Sequence, residues 1–308
     1  MKKKISIMLC IVLFALTGCT NSGSTIRFGA ADVGGMYYSF ANTFTELANE
    51  QGYDFTCKVR TTAGSNANIR LLSDDYIEIG IAQADLIADA YMSNDDLRAI
   101  AGLYTETCQL VVRADSDIQT LDDLSGHTVS IGAKESGTER NASQILEFAG
   151  MPSSLVATKN LDYIEATKEL KAGDIDAFFC TAGLTTTVID ELSKECDIRL
   201  IPLTDTVISK MLESSSAYTS EVIPAGTYTG QAADISTIGV KSVLITKANV
   251  SEDTIEQLTS LLFEKEKELS YSNSLKLELT YDFATDDIPI PFHDGAKKYY
   301  SSYGYNVN

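Results

Sequence analysis

Residues 29–38 read Gly29-Ala30-Ala31-Asp32-Val33-Gly34-Gly35-Met36-Tyr37-Tyr38, and the rest of the chain is organised around them. The apolar run at 26–28 predicts a short strand before this stretch, and apolar residues at helical spacing predict a helix after it. The adjacent glycines have no Cβ, so the backbone can turn tightly and approach a ligand. The first amides of a helix lack internal partners and carry the positive end of its dipole. The stretch therefore predicts an anion site, with an ordinary strand-to-helix turn as the alternative.

Similar junctions of a strand, a polar turn and a helix recur further along the chain. Their turns lie at residues 61–68, 83–85 and 134–140. Ser65 is the expected N-cap of the helix that follows the first of them. Helix capping alone would explain any one of these turns. Because ligands of open α/β sheets bind beyond the carboxyl ends of strands, the set together favours a shared ligand site.

The alternation of strand-like and helix-like runs predicts an α/β fold with mostly parallel sheets. About 290 residues after the leader exceed a typical single core and suggest two lobes. We predict strands at 97–104, 109–113 and 238–246, irregular structure at 217–231 and a helix at 254–269. The expected lobes are 26–110 with 240–308, and 111–239, with hinges near 108–113 and 239–244.

The N-terminal residues are expected to export the protein rather than to join the fold. Three lysines at 2–4 precede an apolar run at 5–16, which is too short to span a membrane. The next residues, Leu16-Thr17-Gly18-Cys19, resemble the lipobox of bacterial lipoproteins. We therefore expect a lipoprotein signal peptide at 1–18, lipidation at Cys19 and a polar tether at 19–25 that anchors the domain to the membrane. A plain signal peptide with a chance cysteine is the alternative.

The composition is acidic. The chain has 24 Lys and Arg against 43 Asp and Glu, a net charge of −19. Three lysines and no acids precede Cys19, so cleavage there would leave a net charge of −22. Such a surface repels itself and lacks the basic footprint that nucleic acids require. The charge excludes nucleic acid as a partner, and local amide dipoles would have to hold an anionic ligand against the overall field.

Nothing in the sequence points to catalysis or to a cofactor. His127 and His293 are the chain's two histidines, and neither accompanies a nucleophile motif such as Gly-x-Ser-x-Gly or a metal-ligand cluster. Four cysteines follow the leader without C-x-x-C spacing: Cys57, Cys108, Cys180 and Cys196. A Cys180–Cys196 or Cys57–Cys108 disulfide and free buried thiols both remain open. The sequence thus predicts a protein that is not an enzyme, with no cofactor and no metal-ligating residues, and it leaves open whether a metal ion sits near the cleft.

Eight short motifs occur in the order known from one transporter family. They are Gly34-Gly35-x-Tyr37-Tyr38, Ala63-Gly64-Ser65-x-x-Asn68, Gly80-Ile81-Ala82-Gln83-x-Asp85, Leu97-Arg98-Ala99-Ile100-Ala101, Leu110-Val111-Val112-Arg113-Ala114-Asp115-Ser116, Ser136-Gly137-Thr138, Asp174-Ile175-Asp176-Ala177-Phe178-Phe179 and Ile223-Pro224-Ala225-Gly226-Thr227-Tyr228. The set covers nearly the whole mature chain and resembles the TAXI-type solute receptors of TRAP transporters. That resemblance implies a two-lobed, periplasmic-binding-protein-like (type II) α/β fold with a hinge and a central ligand cleft.

The resemblance also implies a function and a set of site residues. Such a receptor closes on a small carboxylate (glutamate, a dicarboxylate or an oxo acid) or an amino acid and delivers it to membrane permease subunits. The implied ligand-binding residues are Gly34, Gly35, Tyr37, Tyr38, Thr62, Ser65, Asn68, Gln83, Asp85, Ser136, Gly137, Thr138 and Gly183. Asp85 would bind an amino group of the solute or form an orienting hydrogen bond. The family often has a hydroxyl residue at the position of Met36. Met36 and Glu135 leave open which solute the protein prefers. A receptor for an ATP-driven importer or a surface sensor with the same fold is the alternative.

Overall fold

The computed structural model of the protein describes residues 23–273, 277 and 279–308. The predicted signal peptide, Cys19 and residues 19–22 of the predicted tether lie outside the described residues. The strands are β1 (Ser24–Gly29), β2 (Phe55–Arg60), β3 (Ile79–Gln83), β4 (Leu97–Arg113), β5 (Thr128–Ser130), β6 (Ala157–Lys159), β7 (Ala177–Ala182), β8 (Ile198–Ile201), β9 (Tyr218–Ile223) and β10 (Ile235–Lys247). The helices are α1 (Met36–Glu50), α2 (Ser65–Ser73), α3 (Ala84–Tyr91), α4 (Gly137–Phe148), α5 (Tyr163–Ala172), α6 (Thr187–Glu195), α7 (Asp205–Ser214), α8 (Glu252–Glu264), α9 (Glu266–Asn273), α10 (Tyr281–Thr285) and α11 (Asp294–Ser302).

Two long strands connect two halves of a mixed sheet. The strand order is β2-β1-β3-β10-β4-β7-β5-β6, with β8 on β4 and β9 on β10. β4 and β10 pair antiparallel; β3 flanks one end of this pair, and β7 and β9 flank the other. We call the half with β1–β3 lobe 1 and the half with β5–β9 lobe 2. The predicted hinges at 108–113 and 239–244 lie in β4 and β10, and the exact lobe boundaries stay predictions.

These long strands account for most of the differences from the prediction. The strands predicted at 97–104 and 109–113 are one strand, because the polar residues between them stay paired with β10. The sheet is mixed rather than mostly parallel, because the chain leaves lobe 1 on β4 and returns on β10 in the opposite direction. The irregular segment predicted at 217–231 contains β9, which pairs with β10. The helix predicted at 254–269 is divided into α8 and α9 at Lys265.

An aromatic cluster fixes the start of α1 behind the glycine loop. Phe28 of β1 meets Phe40 and Phe44 of α1 edge-to-face, with ring centroids 6.3 and 6.0 Å apart. All three rings are fully buried, and each such burial stabilises the fold by about 1.5–3 kcal/mol. The loop that ends at Gly35 is therefore held between two packed elements.

The described residues also answer two questions about the chain's chemistry. Cys57, Cys108, Cys180 and Cys196 are free thiols in this structure, so the disulfides left open by the sequence are not formed there. Among the helices that the structure describes, none combines the length and apolar character that crossing a bilayer requires.

Candidate functional site

A cavity with an empty volume of about 500 Å³, counting the space that opens to solvent, lies between the lobes. Lobe 1 contributes the turn after β1, the start of α2 and the end of β3, together with one residue of β4. Lobe 2 contributes the turn before α4, the start of α5 and the end of β7. The lining residues are Ala31, Asp32, Gly35, Met36, Tyr37, Ala63, Gly64, Ser65, Gln83, Glu106, Ala133, Ser136, Gly137, Thr138, Asp162, Tyr163, Thr181 and Ala182.

Three helices begin at this cavity. Their N-cap residues are Gly35 for α1, Gly64 for α2 and Ser136 for α4, and all three line it. The N-cap of α2 is thus Gly64 (φ 115°) and not Ser65 as predicted, because only glycine adopts this backbone conformation readily. Gly35 and Gly64 cannot cap through a side chain, so most of the first amides of α1 and α2 are left for another acceptor. An anion between the lobes would meet the positive ends of these helices.

Gly137 of lobe 2 lies directly against the Gln83 side chain of lobe 1. A Cβ built on Gly137 would lie 2.3 Å from Cδ of Gln83, which belongs to lobe 1. A Cβ on Gly64 would lie 3.5 Å from Cα of Ser136. Any side chain at position 137 would therefore displace the Gln83 amide group from its observed place.

Glu106 and Gln83 form the floor of the cavity. Gln83 Nε2 donates to Glu106 Oε2 at 2.7 Å, and the Gln83 backbone N donates to Ser65 Oγ at 3.2 Å. Burial raises the pKa of Glu106 to about 8, although bonds from Gln83 and Tyr37 oppose the shift, so this carboxyl is mainly protonated at neutral pH. Gln83 Oε1 and Thr181 Oγ1 are buried at the cavity and have no hydrogen-bond partner among the described residues. They are free to bind a ligand.

Two carboxylates, those of Asp32 and Asp162, lie where the cavity adjoins a second space, and we call this part of the cavity its mouth. Asp32 follows β1 in lobe 1, and Asp162 caps α5 in lobe 2 by accepting from Glu165 N at 2.8 Å. Both also line an adjoining space of about 400 Å³. Burial, and then the charges of Asp162 and Glu165, raise the pKa of Asp32. The mouth is thus acidic, whereas the inner walls present helix amides.

Residues 28–304 match the sequence model of the NMT1-like family. The chain belongs to the NMT1-like family. Three solved structures of binding proteins resemble it. The binding component of an ABC phosphonate transporter from Pseudomonas aeruginosa is 13% identical, with 87% of this chain and 83% of that chain covered and a TM-score of 0.60. PhnD1 from Prochlorococcus marinus (MIT 9301) in complex with methylphosphonate is 11% identical, with 82% of this chain and 91% of that chain covered and a TM-score of 0.59; the alkanesulfonate-binding protein SsuA from Xanthomonas axonopodis pv. citri bound to MOPS is 15% identical, with 82% and 80% covered and a TM-score of 0.51. At these identities the likeness shows the fold, which confirms the predicted two-lobed architecture.

Eight of the predicted ligand-binding residues of this NMT1-like protein lie at the cavity or its mouth. They are Gly34, Gly35, Tyr37, Ser65, Gln83, Ser136, Gly137 and Thr138. The other five do not line it: Tyr38, Thr62, Asn68, Asp85 and Gly183. Asn68 Nδ2 donates to the carbonyls of Ala30 at 2.7 Å and Ile81 at 2.8 Å, and Thr62 Oγ1 donates to Asn68 Oδ1 at 2.7 Å. Thr62 and Asn68 hold the ends of β1 and β3 in place, so they support the site from behind.

Sequence reasoning missed five polar lining residues: Asp32, Glu106, Asp162, Tyr163 and Thr181. Tyr163 OH donates to the Thr181 carbonyl at 2.9 Å and lies 2.7 Å from Thr138 Oγ1. Glu106 falls in the gap between two predicted strands, although a lone acid inside a long apolar run could have marked it. Asp32 belongs to the quoted glycine stretch, and Asp162 is the N-cap of α5. Only the folded arrangement, in which the two lobes meet, assigns these residues to the cavity.

A second set of polar contacts joins the lobes beside the cavity, and we call it the flank contact. The Tyr218 hydroxyl of lobe 2 donates to Asp85 Oδ2 of lobe 1 at 2.7 Å and accepts from Asn141 Nδ2 at 3.1 Å. The flank contact also contains a two-pronged ion pair between Arg70 of lobe 1 and Glu135 of lobe 2, with both N–O distances 3.0 Å. These bonds join the two lobes without a solute, although Asp85 Oδ1 and Asn141 Oδ1 have no partner among the described residues.

Both histidines lie away from the cavity. His127 Nδ1 is 3.3 Å from Asp176 Oδ2, and His293 Nδ1 accepts from Gly295 N at 3.1 Å as the cap of α11. These contacts give each ring a local structural role.

Proposed function

We propose that this protein is an extracytoplasmic solute-binding receptor that closes its two lobes on a small carboxylate-bearing solute and delivers it to a membrane permease. One observation carries the proposal: amides of three helices and the unpaired buried oxygens of Gln83 and Thr181 meet in one cavity between the lobes. A solute bound there gains bonds from both lobes only when they close, so it shifts the open–closed equilibrium by its differential affinity. Glutamate, dicarboxylates and oxo acids are the solutes that the TAXI resemblance suggests.

A thermal-shift screen of small carboxylates and amino acids tests this function. A solute that binds only the folded state at a hundredfold excess over its Kd stabilises the protein by about 3 kcal/mol, so at least one such compound should raise the Tm clearly. A screen in which a neutral sugar binds and no carboxylate does would contradict the proposal.

The class of permease has two candidates. The ordered motifs favour a TRAP transporter, which is driven by an ion gradient. Similar solved structures carry names of ABC transporter components, which favours an ATP-driven importer. Solute uptake into membrane vesicles that hold the receptor and its permease separates them: collapse of the ion gradient should stop TRAP transport, whereas ATP removal should stop ABC transport. A surface sensor would bind the solute without uptake.

We also propose that a lipid on Cys19 anchors the receptor to the membrane. The basic n-region, the short apolar run and the lipobox-like sequence support this anchor. Replacement Cys19→Ser should move the protein from the membrane fraction to the soluble fraction. Retention of the variant in the membrane fraction would contradict the anchor.

A further inference from the structure

The charged residues that line the cavity are all acidic. Asp32, Glu106 and Asp162 line it, and its lining among the described residues includes no Lys, Arg or His. Glu106 lies at the buried floor, where a protonated carboxyl carries no charge. The negative charge that a bound solute meets therefore comes from Asp32 and Asp162 at the mouth.

Asp32 and Asp162 belong to different lobes, so closure brings two like charges together. The Asp32 carboxylate has no hydrogen bond or ion pair with any group of the described chain, and Asp162 uses Oδ1 on the amide of Glu165. The remaining carboxylate oxygens can accept bonds. Like charges disfavour one another in a partly buried setting, whereas a cation between them would stabilise the closed state through charge-assisted hydrogen bonds.

The floor of the cavity supplies an independent observation. Gln83 is 1% exposed, and its Oε1 has no donor within the described residues. A buried acceptor without a donor is unfavourable, so it indicates a ligand that carries a hydrogen-bond donor. A dicarboxylate or an oxo acid in its ionised form has no such donor.

Resting on the proposed function, we infer that the solute is an amine-bearing zwitterion of zero net charge, or a cation, whose carboxylate lies on the helix amides and whose ammonium group lies between Asp32 and Asp162. The two acids thus select for the amine, and the helix N-termini select for the carboxylate. Dicarboxylates and oxo acids place a second negative group in a cavity that has no cation to meet it.

Isothermal titration at pH 7 with four solutes of similar size tests the inference: glutamine, lysine, glutamate and 2-oxoglutarate. The tightest Kd should belong to glutamine or lysine, and 2-oxoglutarate should bind at least about tenfold more weakly, because it lacks the charge-assisted bond. Glutamate should fall between them.

Two variants locate the amine. Asp32→Asn and Asp162→Asn should each weaken the preferred amine-bearing solute by about tenfold and leave 2-oxoglutarate unchanged or tighter. Asp162→Asn keeps the cap of α5, because asparagine caps helices as well as aspartate does. Asp54→Asn is the matched control: it removes the same charge from an exposed residue that precedes β2, at the end of the strand away from the cavity.

The outcomes separate the inference from the function. If 2-oxoglutarate binds as tightly as glutamine, or if both variants keep the wild-type ratio of the two Kd values, the amine assignment is wrong and the receptor function stands. If added CaCl2 makes 2-oxoglutarate bind tightly, the cation between the acids is a metal and the inference also fails. If none of the four solutes binds, the inference fails, and the proposed function fails with it when the wider carboxylate screen is also negative.

Discussion

Two buried carboxyls show how the cavity differs from the flank contact. Glu106 and Asp85 are 3% and 2% exposed, and burial raises the pKa of both. Glu106 takes its bond from Gln83 of its own lobe, whereas Asp85 takes its bond from Tyr218 of the other lobe. The cavity floor is therefore assembled before the lobes meet, and the flank contact is complete only afterwards.

Because of this difference, contacts within the protein supply part of the stabilisation of the closed state, and contacts with the solute supply the rest. In the flank contact, most of the polar groups named above find partners in the opposite lobe, so the contact favours the closed state by itself. In the cavity, the side-chain oxygens Gln83 Oε1 and Thr181 Oγ1 have no partner among the described residues. A solute that supplies those partners adds the rest of the stabilisation, and the closed population rises with its concentration.

The largest expected effect concerns Glu106 and pH. Its pKa rises from 4.5 to about 8 in the folded protein, so the folded state keeps a proton that the unfolded chain releases. This contribution to stability is complete below about pH 4.5 and is lost as the pH rises to about 8, by an amount on the order of a few kcal/mol. Denaturation by urea from pH 5 to 8.5 should therefore show a free energy of unfolding that falls more steeply in the wild type than in Glu106→Gln.

Other buried acids change this slope in the same direction, so the comparison between the two proteins matters and not the slope itself. Burial also raises the pKa of Asp32 and Asp85, and both remain in the Glu106→Gln variant. Equal slopes in the two proteins would show that Glu106 is ionised at neutral pH and that the cavity floor is not preassembled around a neutral carboxyl.

The next effect concerns Gly137, which lies against Gln83 of the other lobe. In Gly137→Ala the new Cβ would lie 2.3 to 2.6 Å from three atoms of the Gln83 amide group. Closure would then displace Gln83 and break its bond to Glu106, so the solute Kd should rise about 100-fold. The control is Gly126→Ala: Gly126 has φ +86°, and an added Cβ would meet no other described residue within 4 Å. Backbone strain should lower the stability of this variant by about 1 kcal/mol without changing the Kd. Wild-type affinity in Gly137→Ala would mean that the solute binds an open form.

A smaller effect is expected for the buried part of the flank contact. Tyr218→Phe removes the donor to Asp85 and leaves a buried carboxyl unsatisfied in the closed state, at a cost of about 1–3 kcal/mol. The open form exposes Asp85 to water and avoids this cost, so the solute Kd should rise about tenfold. Tyr76→Phe removes a hydroxyl from a side chain that is 63% exposed and should leave the Kd unchanged. If both variants bind like the wild type, Asp85 does not contribute to closure.

The sequence predicted local junctions well and distant contacts poorly. Neighbouring residues predict a helix start at the glycine loop, at the polar turn near Ser65 and at the turn that contains Ser136. Each of these turns lies at the cavity. Asp85 was singled out too, but its partner Tyr218 lies 133 residues away in a segment predicted to be irregular. The pairing follows from β9 joining β10 across the sheet, which no local pattern encodes.

The smallest effect is expected for the exposed ion pair of the flank contact. Arg70 and Glu135 side chains are 50% and 41% exposed, and water and salt screen such pairs strongly. Arg70→Ala should raise the solute Kd by about threefold or less at low salt, and the difference should vanish as NaCl is added. Lys171→Ala removes an equally exposed ion pair to Glu195 within lobe 2 and should not change the Kd. A loss above tenfold for Arg70→Ala alone would mean that a surface charge pair controls closure. The buried groups of the cavity and of Asp85 would then be secondary, and the contrast between preassembled and closure-dependent partners would no longer explain how this protein binds.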